Sequence, residues 1–251
     1  DWHRKMQLQW DDSYWQAYAK EFAFYLARMK FLLPGRGLWA MGTDYVYERG
    51  AAALTNCAAI SIKNDSFPSD IAWVMDMLMT GCGVGFDVGP GQLLLRSPEG
   101  ERFLYRIPDT REGWVRSVEM LLESYRDGST PVDFDYHLIR PAGSIIHGFG
   151  GVASGPAPLE QLHDRLRMTC EAALHGKRDR THLIADAVNF VGCCVVAGNV
   201  RRSAEICIGE PTDATFMNLK NYQIFPERES FGWMSNNSVR LSSPEHFEML
   251  P

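Results

Sequence analysis

The first run of helical periodicity covers residues 14–33, YWQAYAKEFAFYLARMKFLL, where Trp15, Tyr18, Phe22, Tyr25, Leu26, Met29 and Leu33 share one stripe and Pro34-Gly35 is the stop. Such a helix should pack on a core. Residues 56–62, NCAAISI, read as a short strand. Helical spacing returns with Ile71, Val74, Met75, Leu78 and Met79, with Ser69 placed to cap and Gly81 to end that helix. GVGFDV (83–88) alternates Val84, Phe86 and Val88 as a strand does, with glycines where another backbone or a ligand comes close. Residues 89–105 are turn-rich and suggest a hairpin. Asp109 with Glu112 has the form of a capping box ahead of apolar Trp114, Val118, Leu121, Leu122 and Tyr125.

PVDFDYHLI gives another strand, HGFGGVASGP (147–156) a glycine-rich loop, and 158–175 a helix ending near Gly176. Thr181 is placed to cap the next helix, which runs to Gly198. SAEICI alternates Ala204, Ile206 and Ile208, and NNSVRL closes with a last strand-like run. Strands alternate with helices, which argues for an α/β architecture with a largely parallel sheet, open or closed into a barrel. No internal repeat or low-complexity linker interrupts it.

At 251 residues the chain is long enough for one large α/β unit or two ordinary domains. The net charge of −6 comes without a Lys/Arg block, which speaks against a nucleic-acid polymer as partner and leaves single nucleotides open. The six cysteines form no Cys-x-x-Cys pair, and the seven histidines no His-x-x-x-His pair, so neither a metal site nor a secreted disulfide framework is indicated. Reduced thiols in a soluble, cytoplasmic protein away from membranes are expected, since no apolar run reaches bilayer length and the amino end is not signal-like. A start at Asp1 and a stop at HFEMLP suggest a piece of something longer.

Three places offer chemistry. In HGFGGVASGP, Gly150, Gly151 and Ser154 would let backbone N–H groups reach a phosphate at a helix amino end; the loop lacks a P-loop ending, and an ordinary mobile loop fits as well. His147 stands beside it, suited either to phosphate or to a structural hydrogen bond. GCGVGF (81–86) comes after a helix and before a strand, the wrong order for a dinucleotide turn. GNVRRSAEI puts Arg201 and Arg202 on an extended segment, where neighbouring side chains point to opposite sides and one loop touches two ligands; a solvated charge pair is the alternative. Cys57, at the start of a strand, is either a small buried hydrophobe or a redox thiol, while Cys193 and Cys194 lie mid-helix among valines and read as core.

Taken in order, LPGRGLWAMGTDY with LTNCAAISI, YRIPDTREGWV, IRPAGSIIHGFGGVASGPAPL, and VVAGNVRRSAEICIG with WMSNNSV closely resemble the monomeric adenosylcobalamin-dependent (class II) ribonucleoside-triphosphate reductases, over roughly residues 14–241. The resemblance implies the amino-terminal half of a ten-stranded α/β barrel: a helical segment over 1–34, then the first half-barrel with effector-site elements over 35–251, truncated at both ends. It implies a thiyl-radical reduction of ribonucleotides to 2′-deoxyribonucleotides under allosteric control by deoxynucleotides, with adenosylcobalamin as cofactor and a thioredoxin-like protein as reductant.

On that resemblance Cys57 falls on one of two reducing thiols; Gly42 and Thr43 line the substrate pocket; and Asn56 positions the strand of Cys57. Asn199 to Ser203, with Arg201 and Arg202, match the specificity loop between effector and substrate, and Asp109 and Arg111 border the effector nucleotide. The Asn-Pro-Cys-Gly-Glu motif that carries the radical cysteine in the family is absent, as is the region expected to make most cobalamin contacts, so residues 1–251 alone are expected not to turn over and to need either their own continuation or a complementary carboxyl-terminal chain. Cys82 stands where the family commonly has glycine, and the stretch from Phe86 to Tyr105 is short for it. A nucleotide-sensing module without chemistry, and the large subunit of a metal-dependent class I reductase, are the alternatives.

Overall fold

The structure, a computed structural model, describes residues 11–146, 151–197 and 204–250. It contains two compact units, Asp1–Thr55 and Asn56–Pro251.

In the first unit, helix α1 (Asp12–Ala27) starts where Asp11 Oδ1 accepts the amides of Ser13 and Tyr14 at 2.9 and 3.1 Å. It ends earlier than the stripe of apolar residues suggests. Lys30 N donates to Tyr25 O and Met29 N to Leu26 O, with Met29 at φ +55°, a Schellman closure six residues ahead of Gly35. The expected core packing is also absent: α1 buries none of its residues, although Phe22 and Leu26 are half-buried and Phe22 meets Phe31 with ring centroids 5.0 Å apart. Two short helices, α2 (Gly35–Ala40) and α3 (Asp44–Arg49), and a 3-10 turn (Gly50–Leu54) complete this unit.

The second unit is α/β with parallel sheets. Strands β1 (Cys57–Ser61), β2 (Gly83–Asp87), β5 (Glu205–Gly209) and β6 (Ser235–Val239) form a sheet in the order β1-β2-β5-β6, every pair parallel. Strands β3 (Phe103–Arg106) and β4 (Val132–Asp135) form a separate parallel pair. The helices are α4 (Phe67–Met79), α5 (Arg111–Asp127), α6 (Ala157–Leu174), α7 (Arg180–Val196), α8 (Ala214–Asn218) and α9 (Glu245–Glu248). Helix α4 lies against β1 and β2 and α7 against β5, while α4 also packs on α5 and α6 on α7. Ile71, Val74, Met75 and Leu78 of α4, Val84 and Phe86 of β2, and Ile184, Val188 and Val191 of α7 are buried between these layers.

Several local expectations are corrected. Residues 89–105 make no hairpin: Arg96 N donates to Tyr125 O and Glu99 N to Ser129 O, so the end of α5 and the turn after it satisfy this segment, and β3 pairs with β4 in parallel instead. The N-cap of α5 is Thr110, whose Oγ1 accepts Gly113 N at 3.0 Å, because Asp109 is drawn off by Arg140. Asp179 rather than Thr181 caps α7, accepting His182 N at 2.9 Å, and the Thr181 hydroxyl donates to Asp213 Oδ2 at 2.6 Å. Helix α4 starts from Ser66, not Ser69, whose hydroxyl donates back to Ser66 O at 2.9 Å. Helix α7 ends at Val196.

Strand β5 buries Glu205, Cys207 and Gly209 while Ile206 is exposed, the reverse of what its aliphatic alternation favours.

Candidate active site at the head of the parallel sheet

Cys57 is the first residue of β1, an edge strand, and among the six cysteines it is the exposed one. The register sets it opposite Gly83, and Ala59 opposite Gly85. A Cβ on Gly83 would stand 4.0 Å from Cys57 Sγ, so this face of the sheet is low around the thiol. Alternation puts Cys57, Ala59 and Ser61 on the face away from α4, and the register extends that face through Asp87 and Ile206 to Asn236. Ser61 donates to Asp87 Oδ1 at 3.1 Å at its far end. Asn56 supports the strand from behind its first residue, its carbonyl accepting Gly83 N at 2.8 Å.

The remaining thiols are separated from Cys57 by environment. Cys82, Cys170, Cys194 and Cys207 are buried and Cys193 is half-buried. Burial pushes the thiol of Cys193 up to about 11 and that of Cys194 up to about 12, and raises Cys170 and Cys207 further. Thiol exchange proceeds through the thiolate, so burial disfavours it at Cys170, Cys193, Cys194 and Cys207, in line with the mid-helix reading of Cys193 and Cys194 as core.

Gly42 and Thr43 belong to the first unit. Gly42 turns the chain at φ +81°, and Thr43, at the head of α3, donates its hydroxyl to Ala40 O at 2.6 Å.

A second neighbourhood forms around Asp109. Its Oδ2 accepts Arg140 Nε at 2.6 Å, and Arg140 Nη1 reaches Ile145 O at 3.4 Å. Residues 143–146 and 151–153 pair there: Ile145 bridges Val152, and Ala153 N donates to Ser144 O at 2.8 Å. Arg140 thus joins the Asp109 loop to the segment that holds Gly151, which lies at φ +90°, and leads to half-buried Ser154. Arg111, by contrast, is committed to carboxylates, Asp76 Oδ1 on α4 at 2.6 Å and Glu112 Oε1 at 2.9 Å. Sequence reasoning missed Arg140: a lone arginine before a proline has no spacing that reveals a partner 31 residues away. His147, Gly150, Asn199, Arg201, Arg202 and Ser203 lie outside the described residues.

Behind this neighbourhood α5, α6 and β4 meet at His163. Its Nε2 lies 2.9 Å from Ser117 Oγ and its Nδ1 2.8 Å from Tyr136 OH, and its ring stacks on Phe134 at 4.0 Å. Burial, reinforced by the Arg167 charge, pushes this imidazole down to about 3, so it is neutral.

The span from 92 to 167, which contains Asp109, Arg111, Arg140, Gly151, Ser154 and His163, matches the family described as the B12-dependent ribonucleotide reductase insertion domain. The whole chain is similar to the probable adenosylcobalamin-dependent ribonucleoside-triphosphate reductase of Dictyostelium discoideum, 41% identical over 95% of this chain and 34% of that protein. It is also 41% identical to the adenosylcobalamin-dependent ribonucleoside-triphosphate reductase of Euglena gracilis, over 94% of this chain and 33% of that one. The chain is similar to B12-dependent ribonucleotide reductases. Among solved structures, a B12-dependent (class II) ribonucleotide reductase superposes with a TM-score of 0.70 at 28% identity, covering 82% of this chain and 36% of that one. The chain spans about a third of the length of the relatives it matches. The relatives named are the cobalamin-dependent enzymes rather than class I large subunits.

A cleft of about 140 Å³ lies at the carboxyl ends of β2 and β5, lined by Val88, Ile208, Gly209, Asp213 and Arg240 among others, at the opposite end of the sheet from Cys57. It is well below the roughly 300–1,000 Å³ of ordinary small-molecule sites. The described residues also contain no cluster of three metal-ligating side chains. This cleft is too small to hold a cobalamin. No described helix is long and apolar enough to cross a membrane.

Proposed function

We propose that this chain is the part of an adenosylcobalamin-dependent ribonucleoside-triphosphate reductase that carries one of its two reducing thiols and part of its nucleotide-effector site. The observation that carries the reading is Cys57: an exposed thiol at the head of an edge strand with glycine opposite, in a chain whose other cysteines are buried or half-buried, at 41% identity to such reductases. The sheet is then part of a barrel that the remainder of the enzyme completes, its low face at Cys57, Gly83 and Gly85 leaving room for a ribose and for groups from outside residues 1–251.

In the reaction, Cys57 and a second thiol give up two electrons and become a disulfide while the ribose 2′-hydroxyl leaves as water and the 2′ carbon gains hydrogen. A dithiol of the thioredoxin kind restores the pair by exchange. Adenosylcobalamin, bound mostly by residues outside 1–251, would supply the radical chemistry. Gly42 and Thr43 contribute a backbone amide and a hydroxyl to the substrate. Asp109 accepts the ribose hydroxyls of a deoxynucleotide effector, Arg140 and the turn at Gly151 and Ser154 lie on its phosphate side, and residues 199–203 relay between the two nucleotides.

The test is Cys57→Ser in the full-length reductase that contains this chain. Multiple turnover with an external dithiol is expected to be lost while nucleotide binding, read by equilibrium dialysis, stays within about twofold of wild type, since removing one sulfur at an exposed site disturbs no packing. Near-normal turnover by the variant would refute the assignment.

A further inference from the structure

Glu205, the first residue of β5, is fully buried on the face of the sheet that α7 covers. Its Oε2 accepts Asn189 Nδ2 of α7 at 2.9 Å, and its Oε1 has no hydrogen-bond partner among the described residues. Helix α7 presses directly on this carboxyl: a Cβ on Gly192 would stand 2.2 Å from Glu205 Oε1 and 2.6 Å from Met234 Cγ.

The surrounding charges do not neutralise it. Arg228, also fully buried, pairs with Asp186 and donates through Nε to Leu219 O at 2.9 Å; it touches Glu205 only by way of Asn189, whose Oδ1 accepts Arg228 Nη2 at 3.2 Å. Lys220 is occupied by two carbonyls, those of Gly232 and Ser235, the latter at 2.6 Å. The other groups facing this layer are the thiols of Cys193 on α7 and Cys207 on β5, and Ser235 and Asn237 on β6; Asn237 Nδ2 is itself without a partner among the described residues. A carboxylate here would be a buried charge with a single amide donor, which costs several kcal/mol, whereas the acid satisfies the same Asn189 contact without that penalty. Burial accordingly pushes Glu205 up to about 8, against the opposing effects of Asn189 and Lys220.

Its position in the sheet gives this group a second meaning. Glu205 lies in the cross-strand row Ala58, Val84, Glu205, Ser235, and Val84 N donates to Ala204 O at 2.9 Å immediately before it. Cys57 adjoins that row on the opposite face. Asn189 and Glu205 also lie on the helix before residues 198–203 and the strand after them, so their hydrogen bond ties the two together.

We propose that Glu205 is a positioning residue that, as a neutral carboxylic acid, locks α7 onto the sheet row behind Cys57 and loosens that row when it ionises. Its bearing on catalysis rests on Cys57 being a reducing thiol; the lock itself does not. Between the ordinary carboxyl value of 4.5 and about 8, the unfolded chain loses this proton and the folded chain keeps it, so wild-type stability falls across that window. Glu205→Gln has no proton to keep.

The experiment compares the wild-type chain with Glu205→Gln by thermal unfolding from pH 5 to 9 and by hydrogen exchange of peptides 83–88 and 204–209, corrected for intrinsic rates. The melting-temperature gap should open in favour of the variant by about 3 °C per pH unit up to pH 8 and then level off. Wild-type exchange in those two peptides should accelerate around pH 8 relative to 111–127, with no such step in the variant. Parallel melting curves, or a wild type without the step, overturn the proposal; the wild-type exchange profile decides the matter alone if the variant does not fold. Neither readout requires turnover, so absence of ribonucleotide reduction by the full-length wild type would sink the functional reading and leave the lock standing.

Discussion

At the scale of single residues, what sets Cys57 apart from the other thiols is solvent. Cys57 is exposed at a strand head, whereas Cys170, Cys194 and Cys207 are buried with raised thiol values. From the sequence, Cys57 suits a buried hydrophobe as well as a redox group, and its exposure removes the first of these readings. His163 shows the converse, a titratable group removed from chemistry by burial. Because its folded value is about 3 against 6.5 unfolded, the stability it supports is complete above pH 6.5 and is lost as pH falls toward 3, when the unfolded chain takes up the proton first. Wild-type unfolding free energy should therefore fall about 1.4 kcal/mol per pH unit more steeply than that of His163→Gln over this window. Denaturant titrations of both proteins at half-unit intervals check it, and equal slopes would mean the imidazole is solvated.

At the scale of elements, most strands were legible and the caps were not. Alternation of Val84, Phe86 and Val88 and the glycines of GVGFDV reflect a local periodicity, and the structure has β2 there with those side chains buried. The Asp109 capping box failed because a competitor far along the chain, Arg140, takes the carboxylate, leaving Thr110 to cap; nothing near residue 109 announces that. Strand β5 misleads for a related reason, since a carboxyl paired with Asn189 occupies the inner face that hydrophobicity assigns to the aliphatic residues. Gly192 makes the same point within a helix. A mid-helix glycine is ordinarily improved by alanine by about 1 kcal/mol, yet here the added Cβ meets Glu205 and Met234 at sub-van-der-Waals distance. Gly192→Ala should consequently destabilise the chain by about 1–3 kcal/mol in equilibrium unfolding, and a stabilised variant would show that α7 does not seat as described.

At the scale of the whole molecule, alternating strand and helix periods gave the α/β class and the parallel sheets because these follow from the composition of each segment. The aromatic stripe of α1, in contrast, promises a packed helix and is largely exposed, since periodicity reports a face and not what covers it. The relatives are about three times as long as this chain, so the face of the sheet that bears Cys57 belongs, on the proposed reading, to a site shared with chain outside residues 1–251. The most direct measurement is peptide mapping of the full-length reductase after one turnover in the absence of external dithiol. Cys57 is expected in a disulfide with a cysteine from outside residues 1–251, formed in proportion to deoxynucleotide produced. Deoxynucleotide formed while Cys57 remains a free thiol would contradict this expectation.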